Sequence, residues 1–282
     1  MQRRVFVALV LGAAMAVPAC SLLVDTSGLS DNAVGADAAD ERPSVDASEA
    51  SPGDAAVLDA SSDVDAGDAD AAFSCPSGDG IFCDDFDHDA LGARWTSVDK
   101  NGGTLVLENG GASPPNALHA EVLGGPNAYA DLIARFPGPL TARVRCELDM
   151  KLPAMPPSGE VDVFVLKTNR GAPSPSAYQL YLQHLDTGWA LGEYGTVVDA
   201  GSVDHNSDVS GLPIGTWMHV VFETDGNAFT MKVGGILYGT LALSPGAGST
   251  GDSRDIRIGL SYVEKSVAFT VLYDNVLCTY GP

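Results

Sequence analysis

The sequence predicts an all-β body, a two-sheet antiparallel sandwich, behind a disordered N-terminal segment. Three observations carry that prediction. The stretch TARVRCELDMKLP, Thr141 to Pro153, alternates: Ala142, Val144, Cys146, Leu148, Met150 and Leu152 point one way and Arg143, Arg145, Glu147, Asp149 and Lys151 the other. A strand with one buried face produces this period of two. Similar stretches recur at short intervals, punctuated by turn residues such as KNGGT, LGGPNA, FPGPL, TDGNA and SPGAGSTGDS. From Phe73 onward no run with helical period is long enough to compete.

In chain order, residues 1–20 read as a signal. Arg3 and Arg4 form a basic start, and Val5 to Val17 is an almost unbroken apolar run of 13 residues, short of the roughly 20 needed to span a bilayer. The run ends in VPAC, with Cys20 last. This resembles a bacterial lipobox, whose cysteine is lipidated. An ordinary signal cleaved nearby, with Cys20 incidental, is the alternative. RRVF at Arg3 to Phe6 also resembles a twin-arginine signal. A multiply acylated cysteine meets the requirement of more than one chain for stable anchoring. Ser21 after it implies, by resemblance, sorting to the outer membrane. CSLLVDTSGLS is similar to the N-termini of myxobacterial surface lipoproteins.

Residues 21–73 read as a tether. Asp, Ala, Ser and Gly dominate, aromatics are absent from Ser21 to Ala72, and Arg42 is the one basic residue there. Such a segment buries too little apolar surface to offset its ordering entropy, and its like charges repel. As a flexible chain it spans about 40 Å, more when self-repelling.

Residues 74–282 read as one domain. After GIFCDDFD come RWTSVD, GTLVLEN, NALHAEVLG and AYADLIARF, then the alternating stretch above, then GEVDVFVLK, AYQLYLQHL, WALGEYG, TWMHVVFETD, NAFTMKVGG, DIRIGLSYV and VAFTVLYDNVLCTY. About a dozen short strands in this length suit a sandwich or jelly roll. Trp217 reads as core at a strand entry, His219 as a bonded core or boundary residue, and His205 as a surface residue in a loop.

Four cysteines remain. An even number in an exported chain argues for disulfides, with three connectivities open. Cys75 and Cys83 flank a turn-forming loop and can close locally, which leaves Cys146 with Cys278. Both can point inward if their strands are neighbours or stacked.

GTWMHVVFETDGNAFTMKVGG, Gly215 to Gly235, resembles the laminin-G/concanavalin A-like pattern: Trp and His opening a strand, an Asp-Gly turn, and a hairpin strand ending in glycines. FCDDF at Phe82 to Phe86 and LYDNV at Leu272 to Val276 resemble the first and last strands of that family. The resemblance implies a concanavalin A-like jelly-roll sandwich. It does not fix activity, because the fold carries lectins, adhesion modules, hydrolases and lyases. It also implies a structural calcium, with Asp84, Asp85 and Asp274 as candidate ligands; otherwise no cofactor is expected. Asp274 bonding only nearby backbone is the alternative.

GEVDVFVLK raises a catalytic question. Read with strict alternation, Val161, Val163 and Val165 form one face and Glu160, Asp162, Phe164 and Leu166 the other. Laminarinase-type glucanases of this fold carry Glu-x-Asp-x-Glu there; here the third place is Phe164, so the acid/base glutamate is missing. Glu193 or Asp186 would have to substitute from another strand. A lyase wants a Tyr/His pair, but Tyr181 and His184, three apart, face opposite ways.

A binding face fares better. Gln179, Tyr181 and Gln183 share one side of AYQLYLQHL, Glu160 and Asp162 join them if the strands are neighbours, and Trp189 and Tyr194 edge the surface. Amides bond sugar hydroxyls and a ring packs on the apolar sugar face. Trp189 in the core, with the two glutamines merely solvated, is the alternative. The net charge of -22 argues against nucleic acid, since no basic patch meets phosphates. The expected function is therefore a lipid-anchored envelope protein, exported to the outer membrane or cell surface, binding a polysaccharide or glycoprotein without catalysis. A glycan hydrolase or lyase, or a structural envelope module without small ligand, are the alternatives.

Overall fold

The computed structural model describes residues 73–281 apart from 126, 139, 141–142, 156–157, 170–177, 198–200, 250 and 265–266. The signal, Cys20 and the tether up to residue 72 lie outside the described residues. Among the described residues fifteen strands follow one another: β1 (Ile81–Asp84), β2 (Ser97–Asn101), β3 (Gly103–Asn109), β4 (Asn116–Val122), β5 (Tyr129–Pro137), β6 (Val144–Lys151), β7 (Val161–Asn169) and β8 (Tyr178–Leu185). Then come β9 (Gly188–Val197), β10 (Gly201–Asp208), β11 (Trp217–Thr224), β12 (Ala228–Val233), β13 (Ile236–Ala242), β14 (Ser253–Val263) and β15 (Phe269–Tyr280).

They form the two antiparallel layers of a jelly-roll sandwich. The first sheet runs β13-β12-β11-β6-β15-β4-β3, with β1 pairing the end of β15. The second runs β10-β9-β8-β7-β14-β5-β2. Two strands lie beyond those expected, and both are edges. β10, GSVDHNSD, is mostly exposed, and β13 is exposed at alternate positions. β10, with little to bury, carries no apolar alternation to read, and β13 is apolar without alternating, Ile236 and Leu237 both being exposed. His205 accordingly sits within β10 rather than in a loop, its Nε2 3.2 Å from Glu193 Oε2.

Where one face is buried, the period holds. Val144, Cys146, Leu148 and Met150 of β6 are buried between the sheets, while Arg145 to Lys151 alternate outward. Phe164 of β7 stacks on Phe222 of β11 across the sandwich, centroids 3.9 Å apart. Cys146 and Cys278 are direct partners on β6 and β15 and form a disulfide; Cys75–Cys83 is the second. Trp217 departs from expectation. As the first residue of β11 its parity is that of His219, so it faces outward and is half-buried, with Lys151 Nζ 5.9 Å from its ring centroid. His219 is exposed and bonded to Asp149.

Besides a shift between β12 and β13 at Met231/Lys232, register slips in three further strands. In β7 the register slips between Asp162 and Phe164, so Val163 and Phe164 both enter the core. In β14 it slips between Ile258 and Tyr262. There Gly259 has φ +120°, and a Cβ would lie 2.3 Å from Ala130 O, so only glycine fits. In β15 it slips between Asp274 and Leu277, with Asn275 at φ 51°. Bulges of this kind re-aim side chains. Beyond the β7 bulge, Val165 and Lys167 face outward in place of Phe164 and Leu166.

Candidate functional site

A cleft of about 480 Å³ opens on the outer face of the second sheet. Strand register fixes its layout. Asp204 of β10 pairs with Tyr194 of β9, which pairs with Gln179 of β8, which pairs with Lys167 of β7. Two residues along, Gly192, Tyr181, Val165 and Arg257 make the next row across β9, β8, β7 and β14. Asp162 and its partner Tyr262 make a third row, with Glu160 beyond.

Tyr181 forms the floor. It is nearly buried because its ring covers Gly192, where a Cβ would fall 2.0 Å from ring Cε2. Tyr194 and Tyr262, at 49% and 41% exposure, flank the cleft. They sit three strand spacings, about 14 Å, apart across the sheet.

Charge is divided along β7, with Glu160 and Asp162 toward one end of the cleft; Asp204 lies on the edge strand β10, three strands from Lys167 in the same row. Burial pushes Asp162 well above the usual carboxylate range, with Glu160 adding to the rise, and its Oδ1 is buried without a hydrogen-bond partner among the described residues. Glu160 is raised too, first by desolvation and then by Glu264 and Asp204. The same carboxylates, after burial, lift the Tyr181 phenol.

Lys167 and Arg257 form the opposite side. Burial lowers Lys167, and Arg257 lowers it further. Arg257 reaches Asp131 at 3.3 Å and Asp255 at 3.5 Å, while Asp255 is chelated by Arg135 at 2.7 and 3.0 Å.

Of the expected face, Glu160, Asp162, Gln179, Tyr181 and Tyr194 line one cleft. Gln183 lies beside it, buried, its amide donating to Asn206 Oδ1 at 2.8 Å. Trp189 belongs to the core, packed edge-on to His184 with centroids 5.2 Å apart; its parity in β9 is that of Leu191, not Tyr194. The third place after Asp162 is filled outward by Val165, because the bulge turns Phe164 inward. Neither stand-in carboxylate joins the face. Glu193 is buried on the inner side, accepting from Tyr178 Oη, Ser244 N and Ser244 Oγ, and Asp186 accepts from Gly159 N–H.

Lys167, Arg257, Asp204 and Tyr262 were not foreseen. For Lys167 the available signal was a lysine closing an otherwise apolar strand, and for Arg257 its outward parity in DIRIGLSYV.

The three candidate calcium ligands are each engaged separately. Asp84 accepts from Phe86 N–H and from Trp95 Nε1 at 2.7 Å, Asp85 from Asp87 N–H, and Asp274 from Ser113 and Asn275 N–H. Among the described residues no group of three or more His, Cys, Asp or Glu is arranged to hold a metal ion.

No protein-family model and no curated protein matches the sequence. Among solved structures the chain is similar to the cellulose-induced protein Cip1, with TM-score 0.51 and 16% identity over 70% of this chain and 96% of that one. That likeness bears on the fold. Domain 4 of AbnA, a GH43 extracellular arabinanase from Geobacillus stearothermophilus solved with arabinotriose, gives TM-score 0.44 and 16% identity over 67% and 84%. A family 7 alginate lyase in complex with product gives 0.43 and 10% over 58% and 80%.

Proposed function

We propose that this chain is an exported, lipid-anchored envelope protein whose sandwich binds carbohydrate without cleaving it. One observation carries the reading: a single open cleft presents an amide, three tyrosines, carboxylates and cations on one rigid sheet face. Gln179, Glu160 and Asp204 offer hydrogen bonds to hydroxyls, and Tyr194 and Tyr262 offer rings to the apolar faces of sugars. Two disulfides among the described residues support passage through an oxidising compartment. The VPAC motif supports lipid attachment at Cys20.

A glycan array probed with the full chain tests the binding. Retained ligands are expected to be lost in Tyr181→Ala and Gln179→Ala variants; silence across the array overturns the reading. Metabolic labelling with a fatty acid tests the anchor, the label being expected to vanish in Cys20→Ala.

One observation favours a second reading, glycan cleavage: Asp162 keeps a buried, unpartnered carboxyl oxygen at the cleft beside Glu160.

A further inference from the structure

We infer that the glycan accepted by this cleft is acidic, a carboxylated sugar unit seating its carboxylate on Lys167 and Arg257. This rests on the glycan-binding reading and narrows it to a ligand class. In a chain of net charge -22 with 15 basic side chains, a cation placed in a cleft without an ion-pair partner is conspicuous. On the outer face of the first sheet Arg145 and Lys232 are both paired with Glu223, at 2.6 and 2.9 Å. Lys167 differs, forming no ion pair among the described residues while lining the cleft.

Its neighbours are engaged with one another. Arg135 and Arg257 bond Asp255 and Asp131, and Asp99 stands beside Asp131 on the neighbouring strand. Both Asp255 oxygens are committed to Arg135, and the contacts of Arg257 at 3.3 and 3.5 Å are long for charge-assisted bonds. A ligand carboxylate would give Lys167 an ion-pair partner and offset the desolvation that lowers it.

The rest of the cleft suits the remainder of such a sugar. Gln179 sits beside Lys167 on the neighbouring strand, and Tyr194 beside Gln179. Across the cleft the raised carboxyls of Asp162 and Glu160 favour hydroxyl partners over a second anion. The cleft is bipolar, as is a uronate, with its carboxylate on one side and hydroxyls on the other.

The test uses the full chain in calorimetric titrations with oligogalacturonate, oligoglucuronate and oligomannuronate, each paired with its carboxyl-reduced counterpart, and with neutral β-glucan oligosaccharides. At least one uronate is expected to bind about tenfold or more tightly than its reduced form. That preference is expected to weaken with salt, to disappear in Lys167→Gln, and to recover in Lys167→Arg. Thermal unfolding of the variants, expected to be unchanged, separates loss of charge from loss of fold. Equal affinity for native and reduced forms, binding of neutral glycans alone, or full uronate affinity in Lys167→Gln overturns this inference and leaves glycan binding standing. Failure of every glycan to bind overturns both.

Discussion

The hydroxyl of Tyr273, fully buried on β15 of the first sheet, donates to the carbonyl of Val163 on β7 of the second. Val163 is the extra residue of the β7 bulge, and Gly259 O, also within reach of the same hydroxyl at 3.1 Å, belongs to the β14 irregularity opposite. One side chain thus crosses the core to satisfy backbone that the ladders release. Without that bulge, alternation would turn Phe164 and Leu166 to the surface and Val165 and Lys167 into the core. The register of the cleft therefore depends on a residue of the other sheet.

Tyr273→Phe keeps the ring and removes the donor, leaving buried carbonyls unpaired at a cost of about 1–3 kcal/mol. Urea unfolding is expected to show that loss, and ligand affinity is expected to fall with it although Tyr273 touches no ligand. A variant with the stability loss but unchanged affinity would uncouple bulge and cleft.

Gly192→Ala tests the floor. Its Cβ meets the Tyr181 ring at 2.0 Å, so the ring must move. Overpacking of this kind costs about 1–3 kcal/mol. Displacing Tyr181 is expected to weaken glycan binding by more than the stability loss accounts for, and Gly192→Ala combined with Tyr181→Leu is expected to regain stability but not binding.

These bulges also mark the limit of what the sequence discloses. In β6, Val144 to Met150 alternate against a buried layer, and residue parity alone assigns every face correctly. In β7 the same argument puts Phe164 outward, because nothing in VDVFV says which residue is extra. The extra residue is the one whose carbonyl accepts from a hydroxyl 110 residues away. Glu160, Asp162, Gln179, Tyr181 and Tyr194 were legible since no bulge separates them within their strands. Lys167 lies past the bulge, and Asp204 lies on an edge strand with no apolar pattern. Trp189 was ambiguous for a different reason: a large aromatic suits core and sugar platform alike, and its parity is visible only once the start of β9 is known.

The Cys146–Cys278 disulfide closes a separation of 132 residues between neighbouring strands. By the loop-entropy argument it contributes about 4–5 kcal/mol, against roughly half that for the 8-residue separation of Cys75–Cys83. Replacing both members of the long bridge with serine is expected to lower the unfolding midpoint far more than replacing the short pair. Equal losses would show that strain or residual structure, not loop closure, sets the difference.

Buried acids predict the pH dependence of stability. Burial pushes Asp274 up to about 6 from an ordinary 3.8, against the N–H bonds of Ser113 and Asn275. The folded state therefore holds a proton that the unfolded chain has released between about pH 4 and 6, and stability falls as pH rises through that window. Asp84, Asp131 and Asp162 are displaced in the same direction by burial. Glu223 acts oppositely. Lys232 and Arg145 hold it down at about 2, so its contribution is complete above its ordinary 4.5 and disappears as pH falls toward 2. Urea unfolding at pH 4 and pH 7 is expected to show a smaller drop in Asp274→Asn than in wild type, by up to about 3 kcal/mol.

Catalysis would need the two carboxyls of the cleft to be driven apart, one kept protonated as acid and the other ionised as nucleophile or base, roughly 5–5.5 Å away in a retaining site. Here desolvation is the first cause for both, and Glu160 and Asp162 move in the same direction. Nothing ionised stands third in line on the strand, since Val165 fills that place on the outer face. Asp162→Asn, which keeps a hydrogen-bonding group of the same shape where burial already disfavours a charge, is therefore expected to retain glycan binding, whereas Asp162→Ala, which removes the hydrogen-bonding group, is expected to weaken it. Incubating wild type with the ligands it binds is expected to release neither reducing ends nor unsaturated sugar. Release that ceases in Glu160→Gln would make the cleft an active site, with the orphan oxygen of Asp162 as its acid.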